Sequence, residues 1–412
     1  MKNMACLLGN IFFVRNKQRV LGYLWKSLRV VEKSVFLEIP DFNSVQEEVL
    51  KYREFLGNVD LCVNAAIPEF NDSIQRIALE LRANYCDLAS DMYNEETLAS
   101  QEFLQYKYDR DFRLQNNFSL INIGISPGVT NFLFGEKLKV LRDLPYFEKI
   151  KYIEIFLLEN INSEKVIFYW SPEVALEELR QKPRFYEDGE LVSVEPFTNT
   201  KEYKFPTHQR SYNQYPIYQE EVLSLHHSFP EIPCVKIYTG GSEVEVIKNL
   251  YQLNLLSESD LRCLEKGMTF GDIVKTVLPD LQTPYQINEM IQNGIIKNAQ
   301  FSAFAEISIE VLGRGEENSS IQEVVGVTFH DYLSLVDTPY SGATYIAYPT
   351  GVGAAFLLFY TYLKWLNSKN EVKGVISPEN LPEIMGISST DRVKRELSMY
   401  GLDFSSAIHY KK

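Results

Sequence analysis

No stretch of the sequence approaches the ~18 uninterrupted apolar residues of a membrane-spanning helix, so no span is expected. Cysteine is sparse: Cys6, Cys62, Cys86, Cys234 and Cys263 are odd in number, scattered, and contain no CxxC pair. That excludes a disulfide framework and fits free thiols in a reducing cytosol. The five histidines and five cysteines form no ligand-spaced cluster, so no metal site is expected. Basic charge is also short, with 41 Lys and Arg against 55 Asp and Glu, a net charge of -14. Recognition of a phosphate backbone needs clustered cations, so nucleic acid is excluded as a partner and a small molecule is favoured. A secretory leader is not expected either. Lys2 and the apolar run Met4 to Val14 imitate one, but Gly9-Asn10 interrupts the run and no small-residue cleavage site precedes Lys17, which points to the cytoplasm.

What is present is a chain of 412 residues, 45% hydrophobic, too long for one growing core and too apolar for disorder. Two domains are expected, or one domain with a large insertion. From residue 10 to 130 short strand-like and helix-like stretches alternate, the pattern of parallel α/β structure. VDLCVNAAIP is a nearly continuous apolar strand, as expected when helices cover both faces. NDSIQRIALELRA then sets Ile74, Ile77, Ala78 and Leu81 on one helical stripe, with Asn71 or Asp72 as cap. NYCDLAS and SLINIGI read as further strands of a doubly wound sheet. Beyond Thr130, KYIEIFLLEN, KVIFYW, SAFAEISIEVLG and EVVGVTFHDY alternate as half-exposed strands around the helix SPEVALEELRQ, an α+β domain with a mixed or antiparallel sheet. TGVGAAFLLFYTYLKWL closes the pattern as a deeply packed helix.

In a doubly wound sheet ligands meet the carboxyl ends of the strands, and three polar clusters fall there. Asn64-Ala65-Ala66-Ile67-Pro68 offers small residues that let a flat ring approach the backbone. Tyr85-Cys86-Asp87 brings a phenol and an acid to one side of a strand. Gly124-Ile125-Ser126-Pro127-Gly128-Val129-Thr130-Asn131 runs from a strand end into a helix start, where free N–H groups favour anionic or carbonyl atoms.

These residues resemble the saccharopine dehydrogenase-like oxidoreductases, of the saccharopine reductase and carboxynorspermidine dehydrogenase type. VNAAIPEFNDSIQRIALELRANYCDLA resembles the family's NAAP and Y-x-D-L-A stretches, and GISPGVTN its PG turn. YWSPEVALEEL is similar to its W-SP helix, YQEEVLSL to its Y-H-E-E segment, and YPTGVGAA to its last T-G-x-x-A-A helix. The resemblance implies a Rossmann-type domain over 1–129 and 345–412, and a substrate and dimerisation domain over 130–344. It also implies a homodimer, and hydride transfer between NADP (or NAD) and a C–N bond of an amino acid or carboxylated polyamine.

Carried over position by position, Asn64, Ala65, Ala66, Pro68, Gly124, Ser126, Pro127 and Gly128 would meet the cofactor. Arg15 would favour the 2'-phosphate of NADP. Tyr85, Asn131, Trp170, Tyr218 and Glu221 would meet the substrate, and Asp87 and Glu220 would serve as acid or base. Two departures stand out. The family's first strand and GxGxxG loop have no counterpart in MKNMACLLGNIFFVRN, so IFFV reads as the second strand of an N-terminally incomplete sheet. The His of the Y-H-E-E segment is Gln219, which leaves His226 and His227 as neighbouring imidazoles. The alternative reading is a catalytically inactive paralogue that binds partners as a dimer.

Overall fold

The structure, a computed structural model, describes residues 59–167, 172–256, 282–311 and 319–411. The chain divides into two compact units. One holds residues up to Gly135 together with Gly353–Val393, the other Glu136–Val352 together with Lys394–Lys412.

In the first unit β1 (Leu61–Asn64), β2 (Asn84–Asp87), β3 (Phe118–Leu120) and β12 (Gly374–Ile376) form a parallel sheet in that order. Helix α1 (Asn71–Leu81) returns the chain from β1 to β2, burying Ile74, Ile77 and Ala78 as its spacing predicts. Full burial of an isoleucine stabilises by roughly 2–3 kcal/mol, so this stripe, rather than local propensity, holds the helix on the sheet. Arg82 ends α1 in the left-handed conformation, its N–H returning to Ala78 and Leu79.

Two sequence expectations change here. Asn71 does not cap α1: Phe70 stands at the cap after a short 3-10 turn, Pro68–Phe70, and Asn71 is the first helical residue, buried. SLINIGI stays in the sheet only to Leu120, because Asn122 turns to φ 58°. Helices α2 (Glu95–Ser100) and α3 (Asp109–Gln115) lie between β2 and β3, and α4 (Val129–Arg142) follows them.

The second unit is built on a nine-stranded mixed sheet. Its long central strands are β4 (Phe147–Ser163), β10 (Ile296–Val311) and β11 (Ser319–Phe329), paired antiparallel. β5 (Arg184–Glu187), β6 (Glu190–Ser193), β7 (Lys201–Tyr203), β8 (Tyr212–Pro216) and β9 (Val235–Gly240) lie on the β4 side, with β9 parallel to β4. At the other edge β13 (Asp403–Lys411) pairs with β11. Residues 403–411, expected in the first domain, thus form the edge strand of the second sheet. KVIFYW contributes no strand over its described residues 165–167.

Strand alternation gives this sheet two different faces. Phe156 of β4 sits opposite Phe304 of β10 and Tyr238 of β9, and with Leu158 and Val324 these form an aromatic cluster closed by Tyr203 and Phe205. Tyr203 stacks on Phe156 with ring centres 3.9 Å apart. The other face carries Ile153, Ile155, Leu157, Ala303, Ala305 and Ile307, all buried. Helices α5 (Pro172–Arg180), α6 (Glu220–Ser228), α7 (Ser242–Gln252) and α8 (Pro284–Gln292) complete the unit's described core. Helix α9 (Ala347–Asn367) follows. Among the described residues no helix is long and apolar enough to cross a membrane.

Candidate active site

Because β1, β2 and β3 are parallel, their carboxyl ends share one edge, and Asn64 stands in register with Asp87 there. Asn64 folds its own turn, its Oδ1 accepting from the Ala66 N–H at 3.0 Å. Its Nδ2 donates to Asn71 Oδ1 at 2.7 Å, and Asn71 Nδ2 donates onward to the Ala89 carbonyl at 2.8 Å. Asn71 is therefore a strut between two strand ends. Ala65 and Ala66, presenting only methyl groups, remain exposed.

Asp87 is 1% exposed, with both oxygens engaged. Oδ1 accepts from the Asn122 N–H at 2.7 Å, and Oδ2 lies 3.0 Å from the Tyr85 hydroxyl and 3.2 Å from Gln105 Nε2. Tyr85 has one proton, yet its oxygen also lies 3.0 Å from Asn71 Oδ1. That single proton is shared between Asp87 Oδ2 and Asn71 Oδ1. Burial pushes the Asp87 carboxyl up to about 7, against the donors Asn122, Gln105 and Tyr85 that lower it. Sequence spacing predicted the shared side of Tyr85 and Asp87 but also placed both within reach of ligands. Both are buried, where they tie strand ends together and position the edge.

The protonation has a measurable sign. With Asp87 raised from 3.8 to about 7, the folded chain binds more protons than the unfolded chain between those values. Stability falls as pH rises through that window, by a contribution on the order of 4 kcal/mol. Asp87→Asn removes this slope, so the melting temperature of the variant relative to wild type should rise from pH 5 to pH 8. An unchanged difference across that range would contradict a proton on Asp87.

The turn Gly124 to Asn131 is closed on itself. Val129 N–H donates to the Gly124 carbonyl and Thr130 N–H to that of Ile125, while Gly128 N–H donates to Asn131 Oδ1 at 3.2 Å. The free donors expected at this helix start are thus already used. Asn131, expected at the substrate, is fully buried and donates from Nδ2 to Glu379 Oε2 at 3.2 Å. The Ser126-Pro127 bond is cis and Gly128 takes φ 133°. Gly353 of α9 rests against this turn, where a Cβ would fall 2.5 Å from Val129 Cγ2. Pro127 and Gly128 are buried and Ser126 is half-buried, which leaves the Ala65–Ala66 backbone as the open part of this edge.

In the second unit Glu220 and Glu221 open α6, and both are buried, with Tyr218 just before them. Burial, and the nearby carboxylates of Glu220, Glu159, Glu221 and Glu243, push Glu178 of α5 well above the usual carboxylate range. Sequence reasoning missed Glu159, Glu178 and Glu243, since an acid on a half-exposed strand or an amphipathic helix ordinarily reads as its solvated face. The ring of His226 stacks on Tyr186 at 3.6 Å, and burial lowers its pKa. Trp170 and Arg15 lie outside the described residues. Buried thiols play no part in this picture, Cys62 being pushed up to about 12 by burial.

Comparison with known proteins matches this architecture. A saccharopine dehydrogenase (L-Glu forming) from Saccharomyces cerevisiae superposes with a TM-score of 0.60 over 98% of this chain and 97% of its own, at 12% identity. A carboxyaminopropylagmatine dehydrogenase from Synechocystis is 26% identical over 244 residues. That match spans 58% of this chain and 59% of the relative's length. The family model described as the saccharopine dehydrogenase C-terminal domain matches residues 124–388, from the closed glycine turn through the second sheet to α9 and beyond. The chain that carries this turn, this mixed sheet and this buried group of acids belongs to the saccharopine dehydrogenase family.

Proposed function

We propose that the chain is an NAD(P)-dependent oxidoreductase that makes or breaks a C–N bond in a carboxylated, amine-rich substrate. The observation that carries this reading is the gathering of Glu159, Glu178, Glu220, Glu221 and Glu243 in the second unit, an acidic group that favours a cationic ligand. The relative from Synechocystis is named for a substrate built on agmatine, a cationic compound. A substrate with amine or guanidine groups fits the same chemistry here. Among the described residues no group of His, Cys, Asp or Glu could hold a metal ion, so the acids suit organic cations better.

The residues at the β1 edge fit the nicotinamide end of a dinucleotide. Exposed Ala65 and Ala66 place no bulk against a flat ring, and the Asn64–Asn71–Asp87 struts fix their backbone. When bound, the nicotinamide supplies or accepts a hydride at the C–N carbon. The chain's own residues do the rest: Glu220 and Glu221 bind and orient the substrate cation, and Glu220 holds or releases the proton exchanged at nitrogen. Whether NAD or NADP is used turns on residues such as Arg15.

The test is turnover. NADPH and NADH, each mixed with the full chain, a small α-keto acid and a diamine or agmatine, should be consumed, with loss of absorbance requiring both organic partners. Absence of turnover with every such pair, under conditions where the cofactor binds, would sink the proposal.

A further inference from the structure

A second set of polar side chains gathers on the opposite face of the same sheet. Asn160 of β4 stands opposite Gln300 of β10, and Asn162 opposite Asn298. Alternation puts these amides on the face of Phe156 and Phe304, whereas Glu159 points with the acid group to the other side. Within a single strand pair that face changes from aromatic to amide. Over it the connection from β7 to β8 brings Arg210, the start of β8 brings Tyr212, and Ser242 brings the N-terminus of α7. Together they line an open cleft of about 540 Å³, within the size range of small-molecule sites.

The charge of this lining is single-signed. It includes one guanidinium and no carboxylate, in a chain of net charge -14. Arg210 forms no ion pair among the described residues, and its guanidinium is held over the Tyr212 ring at 4.7 Å. Gln300 Nε2 in turn donates to the Tyr212 hydroxyl at 3.5 Å. Amides at a strand end are ordinary by themselves. An aromatic-braced arginine, a helix N-terminus and four amides lining one cleft are a different matter, because each element favours an anion or hydrogen-bonds its substituents.

We propose that this cleft binds a small monocarboxylate with polar substituents, an amino acid or hydroxy acid. One planar guanidinium matches one carboxylate fork and balances one negative charge. The amides of Asn160, Asn298 and Gln300 supply the donors and acceptors that a hydroxyl, ammonium or amide substituent requires. The site is separate from the acid group, yet Asn160 follows Glu159 directly, so the two share strand β4.

Calorimetric titration of the full chain with lactate and with L-glutamine tests this, with lactamide, the uncharged counterpart of lactate, and inorganic phosphate as controls. Saturable millimolar or tighter binding is expected for a carboxylate, with none for lactamide and weaker binding for phosphate. Arg210→Ala should weaken it roughly tenfold, and Asn298→Asp, which brings a like charge, should do the same. Both positions are exposed, and unchanged melting temperatures would show that the fold is intact. Absence of carboxylate binding, equal binding of lactamide, phosphate binding as tight as carboxylate, or binding indifferent to both substitutions would overturn the proposal. So would a change of oligomeric state in Arg210→Ala, which would mark the face as a contact between copies.

Discussion

Replacing Gly128 with alanine is expected to destabilise the first unit by at least about 3 kcal/mol, enough to unfold a marginal domain. Two causes add. The φ of 133° is one that residues with a Cβ rarely adopt, and the added carbon would fall 2.1 Å from the Gly124 carbonyl oxygen and 2.5 Å from its nitrogen. Both are backbone atoms, which cannot rotate away. Retreat of the chain at Gly124 would break the Val129 N–H bond to that carbonyl and loosen the start of α4. The control is Gly351→Ala, in the first turns of α9, where nothing lies within 4 Å of the new methyl group. There alanine should be neutral or stabilising by up to ~1 kcal/mol through helix propensity. Thermal melts of the two variants beside wild type check the pair, and a Gly128→Ala melt matching wild type would mean the turn is not closed as described.

How far these features were legible differs from element to element. The stripe Ile74, Ile77 and Ala78 announced α1 because burial on one face imposes a helical period, and the run through Val63 announced a buried strand. The PG turn was visible as glycine and proline at a strand end. Its internal closure was not, because whether a helix's first N–H groups stay free depends on where Gly124 and Asn131 sit in space. Asn71 shows the same limit. An Asn before an apolar helix reads as a cap, and only the neighbouring ends of β1 and β2 turn it into a strut. The partners of Asp87 come from Gln105 and Asn122, far along the chain, and no local pattern pairs them. Strand β13 was not read from the sequence, and even where periodicity gives a strand its faces it leaves its neighbour to the fold. The acids around Glu178 stayed hidden for a related reason: acids on separate elements become a cluster only once those elements pack.

The second large effect concerns those acids. Glu220 and Glu221 open α6 under burial, and the proposed substrate cation lies against them. Changing both to Gln keeps shape and hydrogen bonding but removes two negative charges. A charge-assisted hydrogen bond is worth roughly 1.5–3 kcal/mol, so the double variant should lose about 10- to 100-fold in kcat/KM toward a dicationic amine. A monoamine of equal length should lose less, because its second position carries no charge to be held. The melting temperature of the double variant, measured beside wild type, separates lost recognition from lost folding.

The most direct measurement is therefore the ratio of kcat/KM for a diamine over the monoamine of the same chain length, taken with the unmodified protein, a reduced nicotinamide and an α-keto acid. Recognition of an amine-rich substrate by the buried carboxylates predicts a preference for the diamine of roughly tenfold or more. Equal values for the two amines would contradict it.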